Sequence, residues 1–480
     1  MNISIIFYIL GWVLCTQAGA MLFPCVVSLI YSEKAGIYYL ITLAVCLAIG
    51  VALIAKKPKN TRFYAKEGFA IVALSWIVMS LIGAVPLCIS GDIPSFLSAL
   101  FETVSGFTTT GATNLTNVEA LSKTSLFWRS ETHFMGGMGV LVLILTLLPI
   151  AGGQNIQLMR AESPGPTVDK FKPRLRYTAM ILYVIYVAIT AAEVIFLLIG
   201  KMPLFDAITT AFSTAGTGGF AVTNDGINAY HSPYIEVVLT VFMILFGVNF
   251  SFYYMMLTRR FRDGLKNTEV WTYLGIITVS SLVIALNVHS LFPSVKDTLR
   301  NSFFTVSSVI STTGFCTADF DKWPQLSKLI IIMLMFSGAC AGSTGGGMKV
   351  SRLMVLFKSG ISEIKHTVHP KSVNRIKISG KPVSEETVKN IRSFFIIEMI
   401  ILAVSSLIIS LDNFDTTTTV TSVITCLENV GPGLNLVGPT GNFASFSALS
   451  KIVFIFDMLA GRLEVMPLLV LFYPPIWKKS

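Results

Sequence analysis

Residues 95–113 read SFLSALFETVSGFTTTGAT, and the reading of this stretch decides the fold. Its opening run is apolar but too short to cross a hydrocarbon core, which takes ~20 residues. The run then gives way to hydroxyl residues and a glycine. Three further stretches follow the same order: LFDAITTAFSTAGTGGFAV from Leu204, DTLRNSFFTVSSVISTTGF from Asp297 and DTTTTVTSVITCLENVGPG from Asp415. They stack without gaps on Gly111, Gly219, Gly314 and Gly431. Six residues before each glycine stands Ser105, Ser213, Ser308 or Thr425. Such segments suit re-entrant half-helices that enter a bilayer, turn and leave on the same side.

Outward from these stretches lie long apolar runs near 4–30, 36–55, 68–90, 124–150, 177–199, 234–257, 271–288, 326–357, 393–411 and 446–473. Each is close to or above the spanning length, which predicts about ten transmembrane helices. The expected fold is an all-α membrane protein with four pseudosymmetric span–re-entrant loop–span repeats around one central pore. Residues 1–60 supply two extra N-terminal spans. The pore repeats then occupy 61–165, 166–268, 269–385 and 386–480, the third carrying an intramembrane loop.

Composition agrees with a lipid solvent. Of 480 residues, 53% are hydrophobic and 13% charged, against about 25% charged in soluble domains; mean hydropathy is +0.71. One set of connections is basic: Lys56, Lys57, Lys59 and Arg62; Arg160, Lys170, Lys172, Arg174 and Arg176; Arg259, Arg260, Arg262 and Lys266; then Lys358, Lys365, Lys371, Arg375, Lys377 and Lys381; and the tail Lys478 and Lys479. The alternate set carries Asp92, Glu119, Asp206, Asp225, Asp297, Asp319, Asp321, Asp412 and Asp415. The positive-inside rule makes the first set cytoplasmic and puts both termini inside. The net charge of +10 is spread over all these loops, which argues against nucleic acid as a partner. The seven cysteines are scattered, with no metal or disulfide spacing. The N-terminus has neither a basic n-region nor a cleavage site, so it reads as a span.

Non-helical backbone at membrane depth survives only where it is buried in protein or lines water. Four such segments in one chain predict a shared axis and a polar path. A dehydrated cation needs oxygens in place of its hydration shell, and backbone carbonyls supply them without full charges. Glycine gives the backbone the freedom to aim them. The half-helices also point their partly negative C-terminal ends at the axis, which favours cations. The hydroxyls of Thr109, Thr110, Thr312 and Thr313 either add oxygens or brace the loops. The competing reading is that each glycine merely caps a half-helix.

The region 326–357 is too long for one crossing and is interrupted by Gly338, Ala339, Ala341, Gly342, Ser343, Thr344, Gly345, Gly346 and Gly347. That run cannot hold a helix. It reads as an intramembrane loop below the four turns, either a movable obstruction or a static kink. Its GSTGGGMK imitates a phosphate loop but has Met348 where lysine is required. Arg462 lies mid-span in LAGRLEVM, where charge is expensive. It either faces the path as a barrier or pairs with a carboxylate such as Glu464. Lys349 is expected to snorkel towards the cytosol. Arg129 and Glu131, with Trp128, are expected to anchor the first loop. Glu131, His133, Glu193, Glu398 and Glu464 are the groups a proton- or sodium-coupled symporter would use. The histidines His133, His231, His289, His366 and His369 are dispersed, which argues against an enzyme.

TTTGAT at 108–113, TGGF at 217–220, STTGF at 311–315, NVGPG at 429–433, WRSETHFMGGMG at 128–139, GACAGSTGGGMK at 338–349 and GRLE at 461–464 together resemble the TrkH family of bacterial potassium uptake proteins, within the Trk/Ktr/HKT superfamily. The resemblance covers essentially the whole chain. It implies a potassium filter formed by carbonyls of Thr110, Gly111, Gly218, Gly219, Thr313, Gly314, Val430 and Gly431. Some sodium-conducting plant relatives carry serine in the first loop, so Gly111 favours potassium. It implies a gate made of residues Gly338 and Ala341 to Gly347 with Arg462. It also implies a homodimer with one pore per subunit in the bacterial inner membrane, and a cytosolic TrkA-type partner whose RCK domains bind the nucleotide.

Overall fold

The computed structural model describes residues 1–58, 65–139, 175–259, 261–370 and 375–476. The basic residues Lys59, Arg62, Arg160, Lys170, Lys172, Arg174, Arg260, Lys371, Lys478 and Lys479, and the second half of the expected span 124–150, lie outside them.

The described chain is helical apart from one two-residue hairpin, Lys377–Ile378 paired with Lys381–Pro382. Helices α1 (Ile3–Ala20), α2 (Leu22–Tyr31) and α3 (Ala35–Ala55) form the N-terminal spans. Repeat 1 follows as outer helix α4 (Ala65–Ile89), half-helix α5 (Phe96–Phe107) and inner helix α6 (Lys123–Gly137). Repeat 2 comprises α7 (Leu175–Ile199), half-helix α8 (Leu204–Gly216), α9 (Pro233–Gly247) and α10 (Phe250–Leu257); a short α11 (Phe261–Leu265) leads on. Repeat 3 is α12 (Thr268–Val288), half-helix α13 (Val295–Ile310), α14 (Gln325–Ser337) and α15 (Val350–Val368). Repeat 4 is α16 (Glu385–Ile409), half-helix α17 (Thr416–Leu427), α18 (Ala448–Arg462) and α19 (Met466–Leu471).

Three of the half-helices start where the sequence supplies side-chain caps, and α8 starts after Pro203 instead. Ser95, Ser294 and Asp415 accept hydrogen bonds from the backbone N–H groups of Ser98, Asp297 and Thr418. An acceptor there satisfies a donor that the helix leaves open. At the start of α13 the Ser294 hydroxyl and the Arg300 guanidinium hold the half-buried Asp297 carboxyl below its ordinary range.

Packing closes the repeats into a ring. Inner helix α6 lies on half-helix α8 of repeat 2, α9 lies on α13 of repeat 3, and α14 lies on α17 of repeat 4. Helix α18 returns to α5 of repeat 1. Leu286 and Leu407 face outward, 79% and 71% exposed. Full burial of such a side chain is worth about 1.5–3 kcal/mol in water, so lipid is the solvent that makes this face tolerable.

Six helices among the described residues are long and apolar enough to span, and a seventh crossing is a bent pair. The other three expected crossings, 124–150, 326–357 and 446–473, hold no single helix of that length among the described residues, and in 326–357 the interruption is the expected one. Each inner segment, the one that follows a half-helix, departs from a straight span. Helix α6 ends at Gly137; α9 and α10 meet at 89°; residues 338–349 separate α14 from α15; residues 463–465 separate α18 from α19. The second and third breaks satisfy each other. Cys340 N–H donates to Gly247 O at 3.0 Å, and Phe250 N–H donates to Gly342 O at 3.0 Å. Backbone opened at membrane depth must find such partners.

Candidate functional site

The first residue past each half-helix, or the second, is left-handed without being glycine: Thr109 (φ 54°), Thr217 (56°), Thr312 (58°) and Asn429 (53°). Two positions on, Gly111 (76°), Gly219 (74°), Gly314 (83°) and Gly431 (98°) are left-handed again. The residue between them, Thr110, Gly218, Thr313 or Val430, donates its N–H to the carbonyl of Ser105, Ser213, Ser308 or Thr425 at 2.9, 2.8, 2.9 and 2.9 Å. This closes the helix end, with Thr or Asn in the position that glycine usually takes. The capping reading of the four glycines therefore fails, since they sit beyond the cap. Left-handed threonine costs of order 1–3 kcal/mol, and three of the four loops carry it. Alternating the sign of φ turns successive carbonyls towards one side, which a regular strand does not do.

The loops touch in cyclic order. A Cβ placed on Gly111 would lie 1.8 Å from Gly218 O; on Gly219, 2.0 Å from Thr313 O; on Gly314, 2.4 Å from Val430 O; on Gly431, 2.8 Å from Thr110 O. Each glycine is thus required twice, by its φ and by the neighbouring carbonyl. All eight sequence-predicted ring residues come together here. Hydroxyls brace them: Thr108 Oγ1 and Thr110 Oγ1 lie 2.8 Å apart, and Ser311 Oγ and Thr313 Oγ1 lie 2.7 Å apart. Asn429 Nδ2 crosses from repeat 4 to donate to Thr110 Oγ1 at 2.8 Å.

Residues 338–349 lie against the inner ends of α13 and α17. Gly346 N–H donates to Thr312 Oγ1 at 2.6 Å. Added Cβ atoms on Gly345 and Gly346 would sit 2.9 Å from Ser311 O and 2.7 Å from Glu428 O. Ala341, Thr344, Gly345 and Gly346 are buried, Ser343 and Gly347 are half-buried, and Gly342 is exposed. Gly338, Gly342 and Gly347 take left-handed φ of 61°, 75° and 74°. Glu269 Oε1 accepts from Ala341 N–H (2.6 Å) and Ser351 N–H (3.2 Å), pinning both ends of the loop.

Arg462 spans from the loop to repeat 1. Its Nη1 donates to Thr344 O at 2.9 Å and its Nη2 to Gly136 O at 2.5 Å. Glu464, two residues further on, is paired instead with Arg352. Lys349 does not snorkel: its φ of 77° turns it back, and its Nζ donates to Gly345 O and to Gly346 O (3.1 Å). Arg129 pairs with buried Glu102 at 3.0 Å, and Glu102 accepts from Thr113 Oγ1 and Asn114 N–H, both at 2.7 Å. Trp128 Nε1 donates to Gly83 O at 3.1 Å. The anchoring expectation thus holds for Arg129, through a partner that sequence reasoning had not singled out, whereas Trp128 bonds outer helix α4 and buried Glu131 makes no such bond to the loop among the described residues.

Glu102, Glu269, Glu428 and Asn429 are the residues missed. For Glu428 a signal existed: it occupies the position held by Thr108, Gly216 and Ser311 in the other stretches, and it is fully buried. For Glu269 none did, since it reads as a cytosolic acid beside Lys266.

The comparisons agree over the full length. A family model described as TrkH, cation transport protein, matches residues 35–479. The chain is 37% identical to the Trk system potassium uptake protein TrkH of Salmonella typhimurium, with 100% of both chains covered. It is 31% identical to the Trk system potassium uptake protein TrkG of Escherichia coli, with 99% of each covered. The crystal structure of the potassium transporter TrkH from Vibrio parahaemolyticus superposes with a TM-score of 0.88 at 31% identity over 100% of both chains. The chain belongs to the TrkH family of cation transport proteins.

Proposed function

We propose that this protein carries potassium into a bacterial cell across the inner membrane, through a gated, channel-like path. Carbonyls of Thr110, Gly111, Gly218, Gly219, Thr313, Gly314, Val430 and Gly431 replace the ion's water in the ring. The single observation that carries this reading is the cyclic contact of the four loops. A closed ring of repeated backbone presents equivalent oxygens around one axis, as a dehydrated cation requires. Beneath it, residues 338–349 and Arg462 form the gate. The loop obstructs the path, and the guanidinium repels cations that reach it. Opening requires the loop to leave Thr312 and Arg462 to leave Thr344 and Gly136.

The repeats divide as 61–165, 166–268, 269–385 and 386–480, with both termini in the cytoplasm. The unit is a homodimer with one pore per chain. A cytosolic TrkA-type partner, whose RCK domains bind nucleotide, docks on the basic inner face that includes residues 358–391 and governs the gate. The relatives' names as parts of a Trk system support such a multi-component assembly.

The test is flux in liposomes under potassium, rubidium, sodium and lithium gradients. Potassium and rubidium are expected to pass in preference to sodium and lithium. Coupled symport with protons or sodium would draw on buried carboxyls such as Glu193 and Glu398. A reversal potential set by potassium alone excludes it.

A further inference from the structure

Repeat 2 is the odd member of the ring. Before the ring glycine, repeats 1, 3 and 4 have Thr110, Thr313 and Val430, whereas repeat 2 has Gly218. Three positions before it, they have Thr108, Ser311 and Glu428, whereas repeat 2 has Gly216. The missing volume is filled from another repeat. A Cβ on Gly218 would lie 2.5 Å from three atoms of the His133 ring, and one on Gly216 would lie 2.2 Å from His133 O. His133 projects from α6 of repeat 1 and is fully buried. Its ring stacks on Phe220, centroids 4.2 Å apart at 24°. Its Nδ1 lies 3.3 Å from Ser213 Oγ. The Arg129 guanidinium covers the same Phe220 at 4.0 Å and is fixed by Glu102.

We propose that His133 is a positioning residue for selectivity: its ring stands in for the side chain that repeat 2 lacks and holds the Gly218–Gly219 carbonyls at the spacing that favours potassium over sodium. This rests on the filter reading given above. Two adjacent glycines form the softest backbone in the ring. With a void behind them, the strand can shift to follow a smaller ion, and the ring then loses its preference. With the imidazole behind them, held by Phe220 and Ser213, the strand has a wall. The position is sterically an exchange. Gly218 is not left-handed, so φ does not bar alanine there, and the nearest obstacle to its methyl group is the His133 ring.

The experiment measures potassium and sodium flux with the full-length protein in liposomes. His133→Ala is expected to keep potassium flux but lower the potassium-to-sodium ratio about tenfold, within the coupling range of residues in contact. His133→Phe, which keeps a flat ring, should stay within about threefold of wild type. Gly218→Ala alone should lower the ratio, because its methyl group meets the ring. The double variant Gly218→Ala with His133→Ala should recover most of the lost discrimination, because the methyl group occupies the emptied space. A structural role in joining α6 to α8 would not produce that recovery. If His133→Ala does not yield monodisperse protein, Phe220→Leu replaces it, with an intermediate loss expected. A wild-type ratio in His133→Ala (or in Phe220→Leu where it stands in), or additive losses in the double variant, overturns the proposal. Gly111→Ser is measured alongside. If it too leaves the ratio unchanged, the filter reading itself fails; if it alone lowers the ratio, only the role of His133 fails.

Discussion

In the ring, four repeats contribute the same backbone signs in the same order, at Thr109–Gly111, Thr217–Gly219, Thr312–Gly314 and Asn429–Gly431. Under it, repeat 3 alone supplies residues 338–349 and repeat 4 alone supplies Arg462. The two regions are held differently as well. The ring is fixed by backbone closure within each loop, by hydroxyl pairs in the first and third, and by Asn429 reaching Thr110 across repeats. The floor is fixed by side-chain hydrogen bonds, within repeat 3 from Gly346 to Thr312 and between repeats from Arg462 to Gly136. The difference teaches which property each task needs. Replacing a hydration shell takes equivalent oxygens on all sides, so every repeat must conform. On the proposed gating role, blocking a path takes one object, so the repeats need not conform there.

The comparison can be broken from either side. The largest effect is expected at the ring glycines. Gly111→Ala and Gly219→Ala should lower potassium-to-sodium discrimination at least about tenfold, ~1.4 kcal/mol, because each Cβ meets a neighbouring carbonyl within 2.0 Å. Gly314→Ala should follow, and Gly431→Ala should cost least, since its Cβ has 2.8 Å of room. Equal losses at all four would break the inferred geometry, although the ring would still stand.

Next in size is the floor. Deleting Gly345–Gly347 should raise basal flux about tenfold, the factor for ~1.4 kcal/mol of closed-state preference, and leave ion ratios nearly unchanged. Flux that does not rise would make the loop a static kink. Arg462→Gln should raise flux by a smaller, roughly threefold factor, since it removes the charge but leaves polar groups for Thr344 and Gly136. A change in ion ratio in either variant would mean that ring and floor are not separable. The smallest effect concerns a half-helix start. Asp415→Ala removes the acceptor for Thr418 N–H and Asn435 Nδ2. It should lower stability by ~1 kcal/mol, read as a reduced melting temperature in detergent, with selectivity intact.

Much of this was legible because the ring repeats. Any one stretch of small residues and glycine has several readings, but four that align on Gly111, Gly219, Gly314 and Gly431 constrain one another. The outer helices were legible for another reason, since α4, α7, α12 and α16 are continuous apolar runs. Of the inner segments, only the glycine-rich break in 326–357 was legible. Hydropathy records composition and is blind to backbone continuity, so the 89° turn after Gly247 is invisible within LFGVNF. Lys349 was misread because sequence does not show that its left-handed backbone lets its Nζ reach back to the Gly345 and Gly346 carbonyls. The partners of Glu269 and His133 lie 72 and 80 residues away. Sequence could offer them only as isolated polar residues in apolar surroundings.

The central claim is that four loops act as one dehydrating ring. The most direct measurement is the ion ratio of the purified protein in liposomes, wild type beside Gly111→Ser, under equal potassium and sodium gradients. We expect wild type to prefer potassium and the serine variant to admit sodium while still passing potassium. Equal passage of both ions by wild type, or an unchanged ratio in the variant, would contradict it.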